Sequence, residues 1–286
     1  MHMKRIGVIG CGVMGSGIAE VCARSSLEVV VHEVNNEALE AGKRRINRSL
    51  DRAVSSKRLS EEEGSQALGR ISFTTEIEAM ADRDLVIEAV TEDEQEKVAI
   101  FTLLEKVVTN EDAILASNTS SIPIMELAMA TQRPEKVIGI HFFNPVPVLR
   151  LVELVSSLLT SPDTTAKSLA FAHDQLGKEV IYCKDRAGFI VNALLIPYIL
   201  SAIRMLESGF ATSEDIDTGM VEGCAHPMGP LALADLIGID TTHAIARSLY
   251  EEFKEPLYAP PPLLSRMAAA GLLGRKTGQG FYSYQG

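Results

Sequence analysis

Residues 6–15 read Ile6-Gly7-Val8-Ile9-Gly10-Cys11-Gly12-Val13-Met14-Gly15, and the next 18 residues close on Glu28-Val29-Val30-Val31-His32-Glu33. A short apolar run ending in Gly-x-Gly-x-x-Gly, a helical pattern over Met14–Arg24 and a β-branched second strand together open a parallel βαβ unit. Gly10 permits the tight turn, Gly12 lets a pyrophosphate approach the backbone, and Gly15 lets helix and strand pack closely. Val13 and Met14 begin the helix whose positive end takes the diphosphate. Glu33, at the end of the second strand, is placed to accept both hydroxyls of a ribose. Its charge repels a 2′-phosphate, and no arginine follows within His32–Asn36. The pattern therefore favours NAD over NADP.

Outward from this unit, Leu85–Glu88, Ala113–Ser117 and Val137–His141 are short and apolar, with helical stretches Glu94–Val108 and Ile124–Ala130 between them. Buried strands alternating with helices predict a Rossmann-type α/β fold, a doubly wound and mostly parallel sheet. A helical insertion, Glu37–Leu68, precedes Ile71–Thr74, and the capping box begun by Ser60 and closed by Glu63 divides it into two helices. After His141 the chain turns through Pro145 and Pro147 and returns as Leu151–Val155, read as an antiparallel strand. A helix over Thr165–Leu176 and a strand over Glu179–Cys183 complete a first domain, residues 1–184. Residues 185–286 read as an all-helical second domain for substrate binding and dimerisation, with Ser213 as a helix cap and one late strand at Gly280–Tyr284. At roughly 100 residues this second domain is near the minimum for an independent core.

The chain has 286 residues, 46% hydrophobic and 23% charged, with a formal net charge of −11. That excess of negative charge disfavours nucleic acid and anionic membrane surfaces as partners. Four scattered cysteines without a C-x-x-C pair exclude a zinc ribbon and fit a reducing compartment; no metal is expected. No apolar run approaches the ~18 residues of a membrane span. Lys4-Arg5 leads straight into a strand, with no room for a signal peptide. The expectation is a soluble, cytoplasmic protein.

Three constellations carry chemistry. Lys43–Arg58 holds Lys43, Arg44, Arg45, Arg48, Arg52, Lys57 and Arg58 against one acid, Asp51. Arg44, Arg48 and Arg52 share one helix face, and in an acidic chain such a face is either solvated surface or a seat for a polyanionic group. His141 closes a strand at the sheet's cofactor edge, and a hairpin return brings Glu153 within reach. A carboxylate bonded to one imidazole nitrogen fixes the tautomer and leaves the other nitrogen as a base. Alcohol oxidation by hydride transfer needs such a base, and the rivals His226 and His243 read as structural. Ser117-Asn118-Thr119-Ser120-Ser121 follows another strand at the same edge and supplies hydrogen-bond donors. With no local acid–base partner, a serine nucleophile is disfavoured.

Together these residues resemble the L-3-hydroxyacyl-CoA dehydrogenase family, most closely its bacterial 3-hydroxybutyryl-CoA branch. The resemblance spans essentially the whole chain. It runs from the glycine loop through Ser117–Ser121, His141–Val148 with Leu151–Glu153, Lys184–Asn192, Met228–Pro230 and Asp235 to Gly274–Tyr282. It implies His141 as catalytic base and Glu153 as its partner, with Ser120 and Asn192 at the substrate. It further implies Glu33, Glu92, Lys97, Ser120, Asn144 and Lys276 as cofactor contacts, and Ser49 and Lys57 at coenzyme A. The Lys57 match is offset by about a residue, and Glu33 stands where many members carry aspartate. The activity implied is reversible NAD-dependent oxidation of a short-chain L-3-hydroxyacyl-CoA by a homodimer. Two other readings stand beside it: a relative of gulonate dehydrogenase and lens crystallin, and a catalytically silent NAD-binding module. The Phe142-Phe143 pair and the basic helix favour the acyl-CoA branch over the first, and the His141/Glu153 pair argues against the second.

Overall fold

A computed structural model describes residues 3–284. Alternating apolar segments become β1 (Arg5–Ile9), α1 (Val13–Arg24) and β2 (Glu28–His32), so Glu33 lies one residue beyond its strand. The insertion forms α2 (Asn36–Ser55) and α3 (Glu61–Gly69). Ser60 accepts from the Glu63 amide and Glu63 reaches back to the Ser60 amide, so both bonds of the capping box are made. Then follow β3 (Ile71–Thr74), β4 (Leu85–Glu88), α4 (Glu94–Val107), β5 (Ile114–Ser117), α5 (Ile124–Met129) and β6 (Val137–Phe142). β7 (Leu151–Ser156), α6 (Pro162–Leu169) and β8 (Glu179–Lys184) complete the sheet. Its strand order is β3-β2-β1-β4-β5-β6-β7-β8, parallel from β3 to β6, with β7 antiparallel to β6 and β8 parallel to β7. The order reverses between β1 and β4, which is where such sheets open a crevice at their carboxyl edge. β4, β5 and β6 are buried throughout, as strands covered on both faces must be.

The helix read from Thr165 starts earlier, at Pro162, because Ser161 caps it by accepting from the Thr164 amide. Beyond Leu169 it continues as a π-helical stretch, Ala170–Gln175.

Chain contacts divide the molecule after Asp185. The second unit contains α7 (Val191–Glu207), α8 (Ser213–Cys224), α9 (Pro230–Ile237), α10 (Ile239–Phe253) and α11 (Pro262–Ala269) around its own apolar cluster. Two local expectations fail here. Thr212 rather than Ser213 caps α8, its hydroxyl accepting from the Asp215 amide three residues on. Gly280–Tyr284 makes no strand, only an isolated bridge between Gln279 and Ser283. The Phe281 and Tyr282 amides that would extend a ladder donate instead to the buried carboxylate of Asp235. A Cβ at Gly274 or Gly280 would overlap Asp235, so the glycine-rich tail is built for close wrapping around that aspartate.

Candidate active site

The glycine loop joins β1 to α1. Gly10 adopts φ +88°, and a Cβ on Gly15 would overlap the Gly10 carbonyl oxygen. A Cβ on Gly12 would meet nothing within 4 Å, so open space lies over the amino end of α1. No acidic residue occupies the helix's first turn. Glu33 folds against this loop, accepting from the Cys11 amide at 2.6 Å and the Val34 amide at 3.2 Å. Arg45 braces the same turn by donating to the Cys11 carbonyl at 3.1 Å. Open space at a positive helix end, with a carboxylate after β2, fits a dinucleotide diphosphate and its adenosine ribose.

His141 and Glu153 are directly opposed on the antiparallel β6/β7 ladder. His141 Nδ1 lies 2.7 Å from Glu153 Oε2; 8% of the imidazole and none of the carboxylate is exposed. A carboxylate can only accept, so this pairing orients Nδ1 as the donor toward Glu153 and leaves Nε2 as the ring's other nitrogen. The Phe143 ring packs 4.6 Å from the imidazole, and the Phe142 amide donates to Asn118 Oδ1 at 2.9 Å.

The Ser117–Ser121 run is bonded to two glutamates. Glu92 Oε1 accepts from the hydroxyls of Thr119, Ser120 and Ser121 and from the amides of Ser120 and Ser121, all at 2.6–3.2 Å. Burial works against its ionisation, but the Lys97 charge and these donors outweigh that and hold the carboxyl below the usual range. Lys97 is buried, 1% exposed, so it reaches the loop through Glu92, 3.4 Å away. Its nearer partner is Glu88 at 2.6 Å. Glu88 escaped the sequence reading, although an acid ending an otherwise apolar strand is a readable signal. Lys178 escaped it too: its buried ammonium donates to the Val146 and Leu149 carbonyls and so holds the turn between β6 and β7. Burial, with the Arg24 charge added, holds Lys178 below the usual lysine range.

The basic run of α2 divides its labour. Lys43 pairs with Glu40 and Arg45 serves the glycine loop. Arg48, Ser49 and Arg52 line a cleft of about 420 Å³ whose other wall includes Gly17, Asn144 and Pro145. Lys57 is an exposed residue past the end of α2 with φ +57°. In the second unit, Asn192 is buried in the first turn of α7, and Lys276 pairs with Asp240 at 2.6 Å. His226 lies 3.2 Å from the Tyr198 hydroxyl and His243 3.1 Å from that of Ser265.

Residues 5–186 match the family described as "3-hydroxyacyl-CoA dehydrogenase, NAD binding domain", and residues 188–284 match "3-hydroxyacyl-CoA dehydrogenase, C-terminal domain". The chain belongs to the 3-hydroxyacyl-CoA dehydrogenase family. It is 58% identical over 282 residues to a 3-hydroxybutyryl-CoA dehydrogenase of Mycobacterium tuberculosis, covering 99% of both chains. It is 42% identical over 291 residues to the mitochondrial hydroxyacyl-coenzyme A dehydrogenase of Sus scrofa, covering 99% of this chain and 92% of that one. The crystal structure of (S)-3-hydroxybutyryl-CoA dehydrogenase PaaH1 from Ralstonia eutropha superposes with a TM-score of 0.94, at 46% identity and full coverage of both chains. The protein is thus an NAD-dependent dehydrogenase of the 3-hydroxyacyl-CoA family. Among its described residues no helix is long and apolar enough to cross a membrane.

Proposed function

We propose that this dehydrogenase interconverts a short-chain L-3-hydroxyacyl-CoA, 3-hydroxybutyryl-CoA in the first instance, and its 3-oxoacyl-CoA. The reading is carried by the His141–Glu153 rung at the carboxyl edge of the dinucleotide-binding sheet. NAD, when bound, takes up the hydride that leaves C3 of the substrate. The hydroxyl proton passes to His141 Nε2, and Glu153 stabilises the imidazolium that forms. In the reverse direction His141 returns the proton to the carbonyl oxygen. Ser120 is the proposed hydrogen-bond donor to the substrate oxygen: its amide anchors it to Glu92, and its hydroxyl, which also donates to Glu92 in this structure, turns to the substrate. The short acyl chain is supported by what the relatives in Mycobacterium and Ralstonia are named to act on. Initial rates with acetoacetyl-CoA, longer 3-oxoacyl-CoA esters and gulonate test the reading. It requires the first to exceed the rest; faster turnover of gulonate would transfer the chain to the other branch.

Glu33 sets cofactor choice in this reading. Glu33→Ala weakens NAD binding by roughly tenfold, the scale of one or two charge-assisted hydrogen bonds, and narrows the preference over NADP. Fluorescence titration with both dinucleotides measures it, and an unchanged preference would remove Glu33 from the ribose.

Coenzyme A is assigned to the cleft lined by Arg48, Ser49 and Arg52, with Lys57 as an outlying contact. Reversing Arg48 and Arg52 to glutamate raises KM for acetoacetyl-CoA by about tenfold or more while the Kd for NAD changes little. A constant KM would return that face to solvent.

The first unit is the proposed dinucleotide-binding domain. The second is the proposed substrate and dimerisation domain, in a cytoplasmic homodimer. Leu194 and Phe210, 73% and 79% exposed, support a further apolar contact there. Sedimentation of the full chain decides between monomer and dimer.

A further inference from the structure

Glu88 closes β4 at the carboxyl edge of the sheet with no exposed surface. Its Oε1 accepts from Lys97 Nζ at 2.6 Å and from the Val90 amide at 2.7 Å. Its Oε2 accepts from the Ser117 hydroxyl at 2.6 Å, which itself accepts from the Thr119 amide. The Glu88 carbonyl takes the Asn118 amide at 2.8 Å, and Asn118 Oδ1 takes the Phe142 amide beside His141. One residue therefore tethers the loop that carries Ser120 and the strand end that carries the base.

The group also has an electrostatic sum. Glu88 bonds only to donors, which is how a carboxylate bonds. Glu92 gathers five such contacts and remains ionised, and Lys97 lies between the two acids. Two negative charges against one positive leave a net charge of one negative under the Ser117–Ser121 loop. The adenosine half of a dinucleotide belongs over β1 and β2, where the glycine loop and Glu33 lie. The nicotinamide half then falls on the far side of the switch point, over β4, β5 and β6. Oxidised nicotinamide is a cation and the reduced ring is neutral, so the charge acts on one redox state and not the other.

We propose that Glu88 is a positioning residue of this dehydrogenase. It fixes the Ser117–Ser121 loop through Ser117 and Lys97, and with Lys97 and Glu92 it sustains one uncompensated negative charge that favours the oxidised cofactor. The proposal rests on the dinucleotide lying across the glycine loop as described above.

The test is the pair of dissociation constants for NAD⁺ and NADH, measured by calorimetry and intrinsic fluorescence on the full chain without acyl substrate. Glu88→Gln keeps the shape and neutralises the group. The Kd ratio of NAD⁺ to NADH rises on the order of fivefold, the size of one unit charge acting through a partly screened site. Lys97→Met removes the cation and moves the same ratio the other way. It also decides the matter should Glu88→Gln fail to fold. A merely structural role would weaken both redox states alike in both variants. Equal changes in the two constants, or shifts of the same sign in the two variants, overturn the proposal. Failure of the unmodified chain to bind either dinucleotide would instead overturn the placement of the cofactor.

Discussion

His141→Ala lowers kcat for 3-hydroxyacyl-CoA oxidation by roughly 100- to 10,000-fold, the usual contribution of a positioned general base. Dinucleotide affinity stays close to that of the unmodified protein, because the glycine loop and Glu33 belong to β1, α1 and the end of β2 rather than to the β6/β7 pair. Glu153→Gln preserves the side-chain outline but removes the charge that steadies the imidazolium, so kcat falls again. The double variant loses little more than His141→Ala alone, because a carboxylate that acts through the ring has nothing to act on once the ring is gone. Single-turnover rates at saturating NAD, together with NAD titrations, give both quantities. Near-normal turnover by His141→Ala would end the role proposed for this pair.

Gly15→Ala reduces NAD affinity on the order of 100-fold, the scale of an ångström-sized misplacement of binding groups. The new Cβ would overlap the Gly10 carbonyl oxygen and lie 2.9 Å from its carbon and 3.5 Å from the Ala89 Cβ. The Gly10 atoms are backbone, so no side-chain rotation relieves the overlap, and α1 must move off β1. The movement carries the amides at the helix start away from the diphosphate and costs about 1–3 kcal/mol of packing, read as a drop in Tm of several degrees. Gly12→Ala is the contrasting case. Its Cβ meets no protein atom within 4 Å, so the fold keeps its Tm while the methyl intrudes where the diphosphate would lie. Equal NAD affinity in Gly15→Ala and the unmodified chain would mean that the loop is not the dinucleotide seat.

The sheet could be read from the chain because β4, β5 and β6 are buried on both faces and appear as apolar runs between helices, interrupted only toward their carboxyl ends by Glu88, Ser117 and His141. The antiparallel return was readable from the paired prolines and the 12-residue spacing between His141 and Glu153, and the register places the two side by side. What escaped depended on tertiary partners. Gly280–Tyr284 has strand-like residues, yet its amides are drawn to Asp235, 46 residues away in sequence from Phe281. Thr212 and Ser213 are equally good caps by type, and only the backbone path decides between them. Only the resemblance links Lys97 to the cofactor, and its burial between Glu88 and Glu92 does not follow from spacing. Glu88 was hidden for a similar reason, since its partner Ser117 closes the neighbouring strand, 29 residues on.

In the proposed mechanism the His141–Glu153 rung ties catalysis to strand register. Side chains alternate between the two faces of a sheet, so a slip of β7 by a single residue would turn Glu153 away from the ring altogether. What forbids the slip is the apolar packing of Phe142, Val152 and Leu154 on either side of the pair, all buried. The alignment of base and carboxylate is therefore a product of hydrocarbon packing, and its tolerance is set by how well the core is filled. Truncating the buried Val152 to alanine would open a cavity beside the rung, lowering the melting temperature and loosening the spacing of the pair together.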